Sequence, residues 1–538
     1  MKNERSQTLI LFILLLLYSA AVAGLLAFSM LKNDGHFIYT LDDPYIHMAV
    51  ARHWVFDGVF GATPFEFSSS SSSPLWSLLL ALAFFLFGAH EWLPFALNFL
   101  AGVGLLFAVW RFAADLGIRG AMLLALLSSC LLFTPVVPVC FTGMEHLLHI
   151  FLVVIALQLF CRLLEKDSTR FADIWPLGLV IILATAARYE SSFLTCGMTL
   201  VLAIKRRFSQ GIFCLLCAAL PICLFGVFLL AHDQHFLPNS ILIKGAVPDM
   251  YELRTIARFF GGNFIRNLAE NPASYVLILS LTVVLGWRFQ KKGWDQVNAL
   301  ALAMLTSWAL HLQFAKFGWF YRYEAYLITL SVIVLCLFLC RRERAESEEN
   351  LVTKICSTLV LCLLLMPLAW RAALSHFETV PTTRSIYQQQ YQMGRFLHRF
   401  YEDESVAAND IGAINYLARL HCFDLWGLGT KEVMENRRHG TYSTAVIREM
   451  ADQRKVRIAI AYPGWFASIG EPLPKEWIVV GSWTNSADVP IIGYSDTVVF
   501  YAVDPVAASK LRANLRVFAR ELPPEVTWKE SPPPPAGD

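Results

Sequence analysis

The chain carries little charge, no zinc-spaced cysteine pair outside its apolar runs and no internal repeat. Only 16% of its 538 residues are charged, while 56% are hydrophobic and the mean hydropathy is +0.51. That balance argues against a soluble domain and for a bilayer as a partner. A net charge of +2 gives no field for a polyanion, so no nucleic-acid partner is expected. Of the twelve cysteines, eleven lie within or at the ends of apolar runs, and only Cys422 falls in the polar C-terminal part. Cys214 and Cys217 sit inside a span, so no disulfide framework or zinc site follows. No GxGxxG loop is present, and no nucleotide site is claimed. No stretch reads convincingly as a secretory signal peptide. The first apolar run, Thr8 to Leu31, is too long for a signal core and lacks a small-residue cleavage site, so it reads as an uncleaved first span.

What is present is a series of long apolar runs. A crossing needs about 20 residues to cover about 30 Å. Eleven runs qualify: 8–31, 93–110, 120–138, 144–161, 174–187, 191–204, 211–231, 273–287, 297–315, 323–340 and 351–370. The runs 174–187 and 191–204 are short and abut, as tilted or broken spans do. The run Leu75–Gly88 reaches only about 21 Å as a helix and is expected to be interfacial or re-entrant. With that run not crossing and the N-terminus inside, the basic loops all fall on the cytoplasmic side. They hold Arg111 and Arg119; Arg162, Lys166 and Arg170; Lys205 to Arg207; Arg288, Lys291 and Lys292; and Arg341, Arg342 and Arg344. The loops 32–73 and 232–272, the turns at Glu145, Arg188–Glu190 and Trp319–Glu324, and residues 371–538 then face outward.

The expected fold is mainly α: a polytopic membrane bundle of about eleven helices over residues 1–370, followed by a soluble α/β domain over 371–538. The second part alternates β-rich runs (Val456–Tyr462, Trp477–Val480, Thr497–Val503) with helical stretches such as Tyr387–Tyr401. Val406 to Ala408, followed by Asn409-Asp410-Ile411-Gly412, reads as a strand and a turn. The tail Ser531–Asp538 is proline-rich and expected to be disordered.

Polar residues in such a chain mark the chemistry, because charge near a membrane is costly. The clearest group is Asp42-Asp43-Pro44-Tyr45-Ile46-His47, just after the first span. Asp43 before Pro44 fits a helix cap. The helix then runs to about Phe56 along the interface, with Ile46, Val50, His53 and Trp54 near one face. Two adjacent carboxylates repel and call for a cation or a function; a base that takes a hydroxyl proton is one such function. Glu145 either complements a helix N-terminus or acts in catalysis. Arg188 and Glu190 either pair with each other or face a ligand. His146 and His149, and again His232 and His235, are spaced to share a helix face. With acidic neighbours they would suit a divalent metal, but interfacial hydrogen bonding suits them too. Trp319, Phe320, Tyr321 and Tyr323 form an aromatic belt or a sugar-stacking surface. The run Ser68–Ser73 reads as a flexible linker or a binding loop.

Several of these motifs resemble, in order, those of GT-C glycosyltransferases, and in particular the mycobacterial terminal arabinofuranosyltransferases and their bacterial relatives. They are Asp42-Asp43-Pro44-Tyr45-Ile46, Ser73-Pro74-Leu75-Trp76, Thr142-Gly143-Met144-Glu145, Arg188-Tyr189-Glu190, Leu237-Pro238-Asn239-Ser240 with Lys244, Arg322-Tyr323 and Asn409 to Ile414. Pro44 replaces the usual Ala, and the serine run is longer than in the family pattern.

The resemblance implies an inverting transferase. It would move a sugar, arabinofuranose in the nearest branch, from a polyprenyl-phosphate carrier to a glycan, lipid or protein acceptor at the outer face of a bacterial inner membrane. Asp42, Asp43 and Glu145 are the catalytic candidates. Lys244, Arg322 and Arg188 are the donor-phosphate candidates, since cations offset charge developing on a lipid phosphate. Glu190, Asn239, Trp319, Tyr323 and His47 are the substrate-binding candidates. No cofactor is required by this chemistry; a divalent metal is an option at the histidines. A transporter or flippase of lipid-linked sugars is the competing class, because many spans with buried charge suit it too. A non-catalytic assembly or sensor protein is a third.

Overall fold

A computed structural model describes residues 2–532, apart from 167–169, 245–252, 293–294, 346–350, 468, 471–472 and 487–494; side chains at 2–4, 253–261, 287–292, 342–345 and 351–364 are also outside the description. Arg288, Lys291, Lys292, Arg342 and Arg344 of the expected cytoplasmic loops, and most of the proline-rich tail, therefore lie outside the described residues.

Every one of the eleven apolar runs is helical. Among the described residues, five helices are long and apolar enough to cross a bilayer: Arg5–Lys32, Trp92–Asp115, His146–Leu164, Phe208–Leu230 and Gln296–Phe314. A sixth span arises if the bent pair Gly262–Glu270 and Pro272–Gly286 counts as one. The chain is a multi-pass membrane protein. The remaining runs are shorter or interrupted for local reasons. Pro135 supplies no backbone N–H, and the run 120–138 breaks there into Gly120–Phe133 and Val136–Cys140. The abutting runs 174–187 and 191–204 form two helices, Phe171–Ala187 and Ser191–Ile204, joined by the turn at Arg188–Glu190.

The chain divides into two compact units. The first contains residues 1–24, 95–225 and 245–377 and is a helical bundle. Its packing relies on small residues: a Cβ on Gly197 would lie 2.3 Å from the Ala303 carbonyl oxygen, so Ser191–Ile204 and Gln296–Phe314 touch backbone to backbone. One end of the bundle gathers basic side chains of the expected cytoplasmic loops. Asp115 accepts from Gln158 (2.6 Å) and Arg162 (2.8 Å), Arg207 donates to the Leu163 carbonyl (2.8 Å), and Arg341 faces Asp295 at 3.8 Å.

The second unit contains residues 25–94, 226–244 and 378–538. It carries a six-stranded sheet of β1 (Ser405–Ala408), β2 (His421–Asp424), β3 (Ile458–Ala461), β4 (Ile478–Thr484), β5 (Thr497–Ala502) and β6 (Thr527–Glu530), in the order β2-β1-β3-β5-β4-β6. β1 is parallel to β2 and β3, and the other pairings are antiparallel. Alternate residues feed opposite faces, as strand geometry requires. Val406, Ala408, Ile458 and Ile460 join a core with Phe396, Trp483 and Phe518. Ala407, Ala459 and Ala461 join a second core with Phe423, Val433 and Ile447. Helices therefore cover both faces. The chain leaves β1 for β2 on one side and returns to β3 on the other. The crevice at the carboxyl ends of β1 and β3 is the topological switch point, where open α/β sheets bind ligands.

Two expectations change here. The helix Asp43–Phe56 does not keep one face free for an interface, because Pro44 to Ala51 are all buried; it packs against the helices Pro74–Phe87 and Gly412–Leu417. Nor is the serine run a flexible linker. Ser68, Ser69, Ser70, Ser71 and Ser73 are buried, and the Ser71 hydroxyl bonds His47 Nδ1 (3.1 Å) and Ser77 (2.8 Å). Buried hydroxyls must find partners, and a run of small ones wires this loop into the unit. Leu75–Gly88 is the 14-residue helix Pro74–Phe87, capped by the Ser73 hydroxyl.

Candidate functional site

In the second unit the Asp-Asp pair sits at the start of the helix Asp43–Phe56, and its two carboxylates do different things. Asp42 occupies the cap position of that helix but makes no side-chain bond to it. Its carboxylate instead accepts from Gly412 N at 2.5 Å and Ala413 N at 2.7 Å, the first N–H groups of Gly412–Leu417. This capping reaches across 370 residues of chain. It requires a residue without Cβ, since one on Gly412 would stand 2.1 Å from the Asp42 carbonyl oxygen. Asp42 also hydrogen bonds Asp410, which follows β1. Asp43 points elsewhere, and its Oδ1 lies 2.8 Å from Lys244 Nζ. That ion pair keeps some access to solvent, with side chains 16% and 32% exposed.

The switch-point crevice is therefore filled by the protein's own carboxylate. Asp410 and Asn409 line it from β1, and Tyr462 lines it from β3. Asn409 Oδ1 accepts from Tyr462 N at 3.0 Å. The long helix that enters this unit turns through one π-helical turn at Tyr387–Tyr391. Such turns reposition side chains and recur at functional sites. Here three successive glutamines are buried against the sheet. Gln390 donates to Asp410 Oδ2 (2.9 Å), and Gln389 accepts from the Tyr462 hydroxyl (3.0 Å). Burial, followed by the facing Asp42 charge, pushes the Asp410 carboxyl well above the ordinary carboxylate range. Burial also raises Asp42, while its hydrogen bonds to Asp410 and to the two N–H groups pull the other way.

His47 and Asn239 border the same loop. His47 bonds Ser71, and Asn239 N donates to the Ser69 carbonyl at 3.1 Å.

The remaining sequence-predicted residues form a second cluster, in the first unit. Glu145 precedes the helix His146–Leu164, Arg188 and Glu190 form the turn between two helices, and Arg322 and Tyr323 precede Ala325–Ala345. Arg188 bridges them. Its Nη1 donates to Glu145 Oε1 (2.5 Å) and approaches His146 Nε2 (2.9 Å), its Nη2 bonds Glu190, and its guanidinium lies 5.3 Å over the Tyr323 ring. Arg322 lies 5.1 Å over the same ring from its own side. Glu145 is fully buried, and among the described residues its Oε2 has no hydrogen-bond partner. Arg162 lies near the far end of the 19-residue helix that Glu145 begins, so this cluster and the basic end described above are about 28 Å apart along it. Trp319 is 45% exposed, in a turn where Trp319, Phe320 and Tyr321 all have φ between 43° and 61°. Bulky residues adopt that region only when their surroundings hold them there. Here Glu324 accepts from Gly318 N, and Arg371 donates to the Tyr321 carbonyl.

The histidines do not converge. His149 bonds Ser191 (2.8 Å), His232 bonds the Phe228 carbonyl, and His235 bonds Glu435 (2.8 Å). Among the described residues no three His, Cys, Asp or Glu side chains are grouped to hold a metal ion.

Sequence reasoning missed Asp410, Gln390 and the buried Arg371–Glu324 pair at 2.6 Å. Asp410 stands in a motif that reads as a turn and as part of the GT-C resemblance, with no role of its own assigned. Its one available signal was a carboxylate directly after a β-run, at the point where an α/β sheet opens its crevice.

Solved structures resemble this architecture. ArnT from Cupriavidus metallidurans, a GT-C glycosyltransferase solved with undecaprenyl phosphate bound, is 12% identical and aligns over 91% of this chain and 98% of its own, with a TM-score of 0.52. The fold is GT-C-like. Two more GT-C proteins align at lower scores. The oligosaccharyltransferase AglB from Archaeoglobus fulgidus, solved with an inhibitory peptide and a dolichol-phosphate, is 12% identical over 94% of this chain and 78% of its own, with a TM-score of 0.49. The arabinofuranosyltransferase AftD from Mycobacteria is 14% identical over 90% of this chain and 40% of its own, with a TM-score of 0.43. A family model described as a domain of unknown function, DUF8728, matches residues 383–501, which hold the π turn and strands β1 to β5 of this GT-C-like chain. No curated protein matches the sequence.

Proposed function

We propose that the chain is an inverting glycosyltransferase that takes a sugar from a polyprenyl-phosphate carrier and passes it to an acceptor at the outer face of a bacterial inner membrane. The observation that carries this reading is the Asp43–Lys244 pair, a carboxylate and an ammonium 2.8 Å apart and partly accessible to solvent, where the first outer loop meets the segment 226–244. In the absence of donor the two neutralise each other. A lipid phosphate competes for Lys244, and the Asp43 carboxylate becomes more basic as that cation turns to the phosphate. Asp43 then takes the proton of the acceptor hydroxyl. That oxygen forms a bond to the anomeric carbon as the bond from that carbon to the phosphate oxygen breaks, so the lipid phosphate leaves with the electron pair and the configuration inverts. Lys244 offsets the charge gathering on the leaving phosphate.

Asp42 has a different part. Both its oxygens are engaged in hydrogen bonds within the unit, so it anchors the loop rather than meeting the acceptor. Arg188 and Arg322 are proposed as further phosphate-binding cations on the chemistry of their guanidinium groups, and Glu145 as a carboxylate that balances them. The outward orientation rests on the positive-inside parse and on the basic end of the helical bundle. Arabinofuranose is proposed as the sugar from the motif resemblance.

Purified protein incubated with a panel of polyprenyl-phosphate sugars, including arabinofuranose, should release free polyprenyl phosphate, detected by mass spectrometry, together with a new glycoside. Movement of intact labelled lipid across vesicles without any released carrier would instead identify a flippase.

A further inference from the structure

We propose that Asp410 is a positioning residue for this transfer site: as a neutral acid it donates its proton to the Asp42 carboxylate and so fixes the chain at Asp42–Asp43 beside Lys244. The proposal rests on the reading of Asp43 as the base. The geometry that carries it lies wholly within the second unit. Asp42 is buried with its oxygens on Gly412 N and Ala413 N, and Asp410 meets it from the end of β1. Two ionised carboxylates do not meet in a buried site; one proton between them turns repulsion into a strong, charge-assisted hydrogen bond. Asp42 already receives two N–H donors, which favour its ionised form, so the proton belongs to Asp410. Gln390 completes the arrangement by donating to Asp410 Oδ2, the π turn having brought its amide to the crevice.

The groups facing this pair are few. Asp43 stands beside Asp42 and is paired with Lys244, and the Tyr462 hydroxyl comes from the end of β3. Gln390 and Asn409 are uncharged. Rising pH therefore acts mainly on the shared proton. As pH passes the raised pKa of Asp410, two negative charges face each other in a dry socket and the bond is lost. The loop loosens, and Asp43 loses its register with Lys244. The alkaline limb of the activity profile should belong to Asp410, which touches no substrate.

The test uses the full chain in lipid nanodiscs, comparing Asp410→Asn and Asp410→Ala with the wild type. Hydrogen exchange is followed in the segment 409–417, whose Gly412 and Ala413 amides report the Asp42 contact directly. Asp410→Ala should raise exchange there about tenfold and lower kcat about 100-fold, the cost of roughly 1 Å of misplacement, with KM for the lipid-linked donor little changed. Asp410→Asn, whose amide still donates to Asp42, should restore protection and most of the transfer, and its alkaline limb should move to higher pH, where loss of the Lys244 charge limits transfer. Wild-type exchange and a wild-type pH profile in Asp410→Ala would overturn the proposal, as would loss of protection in Asp410→Asn equal to that in Asp410→Ala. Should the chain form no glycoside with any donor, the transferase reading fails on that ground, while the exchange comparison alone still decides whether Asp410 holds Asp42.

Discussion

Lys244 Nζ and Asp43 Oδ1 stand 2.8 Å apart although 201 positions separate them in the chain. Partly solvated pairs of this kind add little to stability, typically about 0.2–1 kcal/mol. The pair is therefore cheap to open, which suits a base that must be released when a phosphate arrives. Asp43→Asn should retain the thermal midpoint of the wild type and lose transfer by about 10²–10⁴-fold, the usual contribution of a general base. Carrier release by mass spectrometry and scanning fluorimetry on the same sample check both halves. Transfer at the wild-type rate would remove Asp43 from the mechanism.

Gly412 tests the anchor without touching charge. An added methyl would meet Asp42 Oδ2 at 2.5 Å and, at 2.1 Å, the Asp42 carbonyl oxygen, a backbone atom that cannot swing aside. Gly412→Ala should cost about 1–3 kcal/mol as an overpacked contact and lower transfer as well. Thermal unfolding with a parallel activity assay measures it; an unchanged midpoint would show that the loop and the helix do not meet as described.

The Arg188 network makes a prediction of non-additivity. Arg188→Met leaves Glu145 and Glu190 without their shared cation, and breaking one side of a buried pair costs about 3–5 kcal/mol. Adding Glu145→Gln to that variant should recover part of the loss. A double-mutant cycle on thermal stability in detergent gives the coupling, and strict additivity of the two changes would contradict the geometry.

His53 is expected to contribute to acid sensitivity. It is buried on the helix Asp43–Phe56, with Nδ1 3.2 Å from the Gly61 carbonyl, and burial lowers its pKa from 6.5 to about 4. The unfolded chain binds this proton first as pH falls, so stability is intact above pH 6.5 and declines between there and about pH 4. The loss reaches about 3 kcal/mol at the acid end. His53→Gln should flatten that part of the stability profile, measured as the thermal midpoint across pH 4–7. An unchanged slope would assign the acid sensitivity to other groups.

Local composition made the helices and strands legible, because apolar runs and β-rich stretches state their own periodicity. Thr8 to Leu31 needs no partner to be read as a span, and Thr497–Val503 needs none to be read as a strand. The ordering of Asp42, Glu145, Arg188, Lys244 and Arg322 along the chain was also visible. The pairing of Arg188 with Glu190 was legible as one of two readings; the other partners were not. The Asp42 carboxylate is held by backbone N–H groups of Gly412 and Ala413, and every residue carries such a group, so no side-chain pattern announces it. Ser68–Ser73 reads as a linker by composition, but its burial is set by His47, Ser77 and Asn239, which come from other segments. Arg371 stands just past the last apolar run, 351–370, and gives no sign in the sequence that it closes on Glu324.

The contact between Asp42 and Gly412 also has a meaning in time. During synthesis Asp42 leaves the ribosome 370 residues before its partner exists, a delay of roughly 20–70 s at ordinary elongation rates. A nascent or prematurely terminated chain can insert all its spans and still lack the seat that aligns Asp43. On the proposed mechanism, synthesis past Gly412 and Ala413 is the event that makes transfer possible.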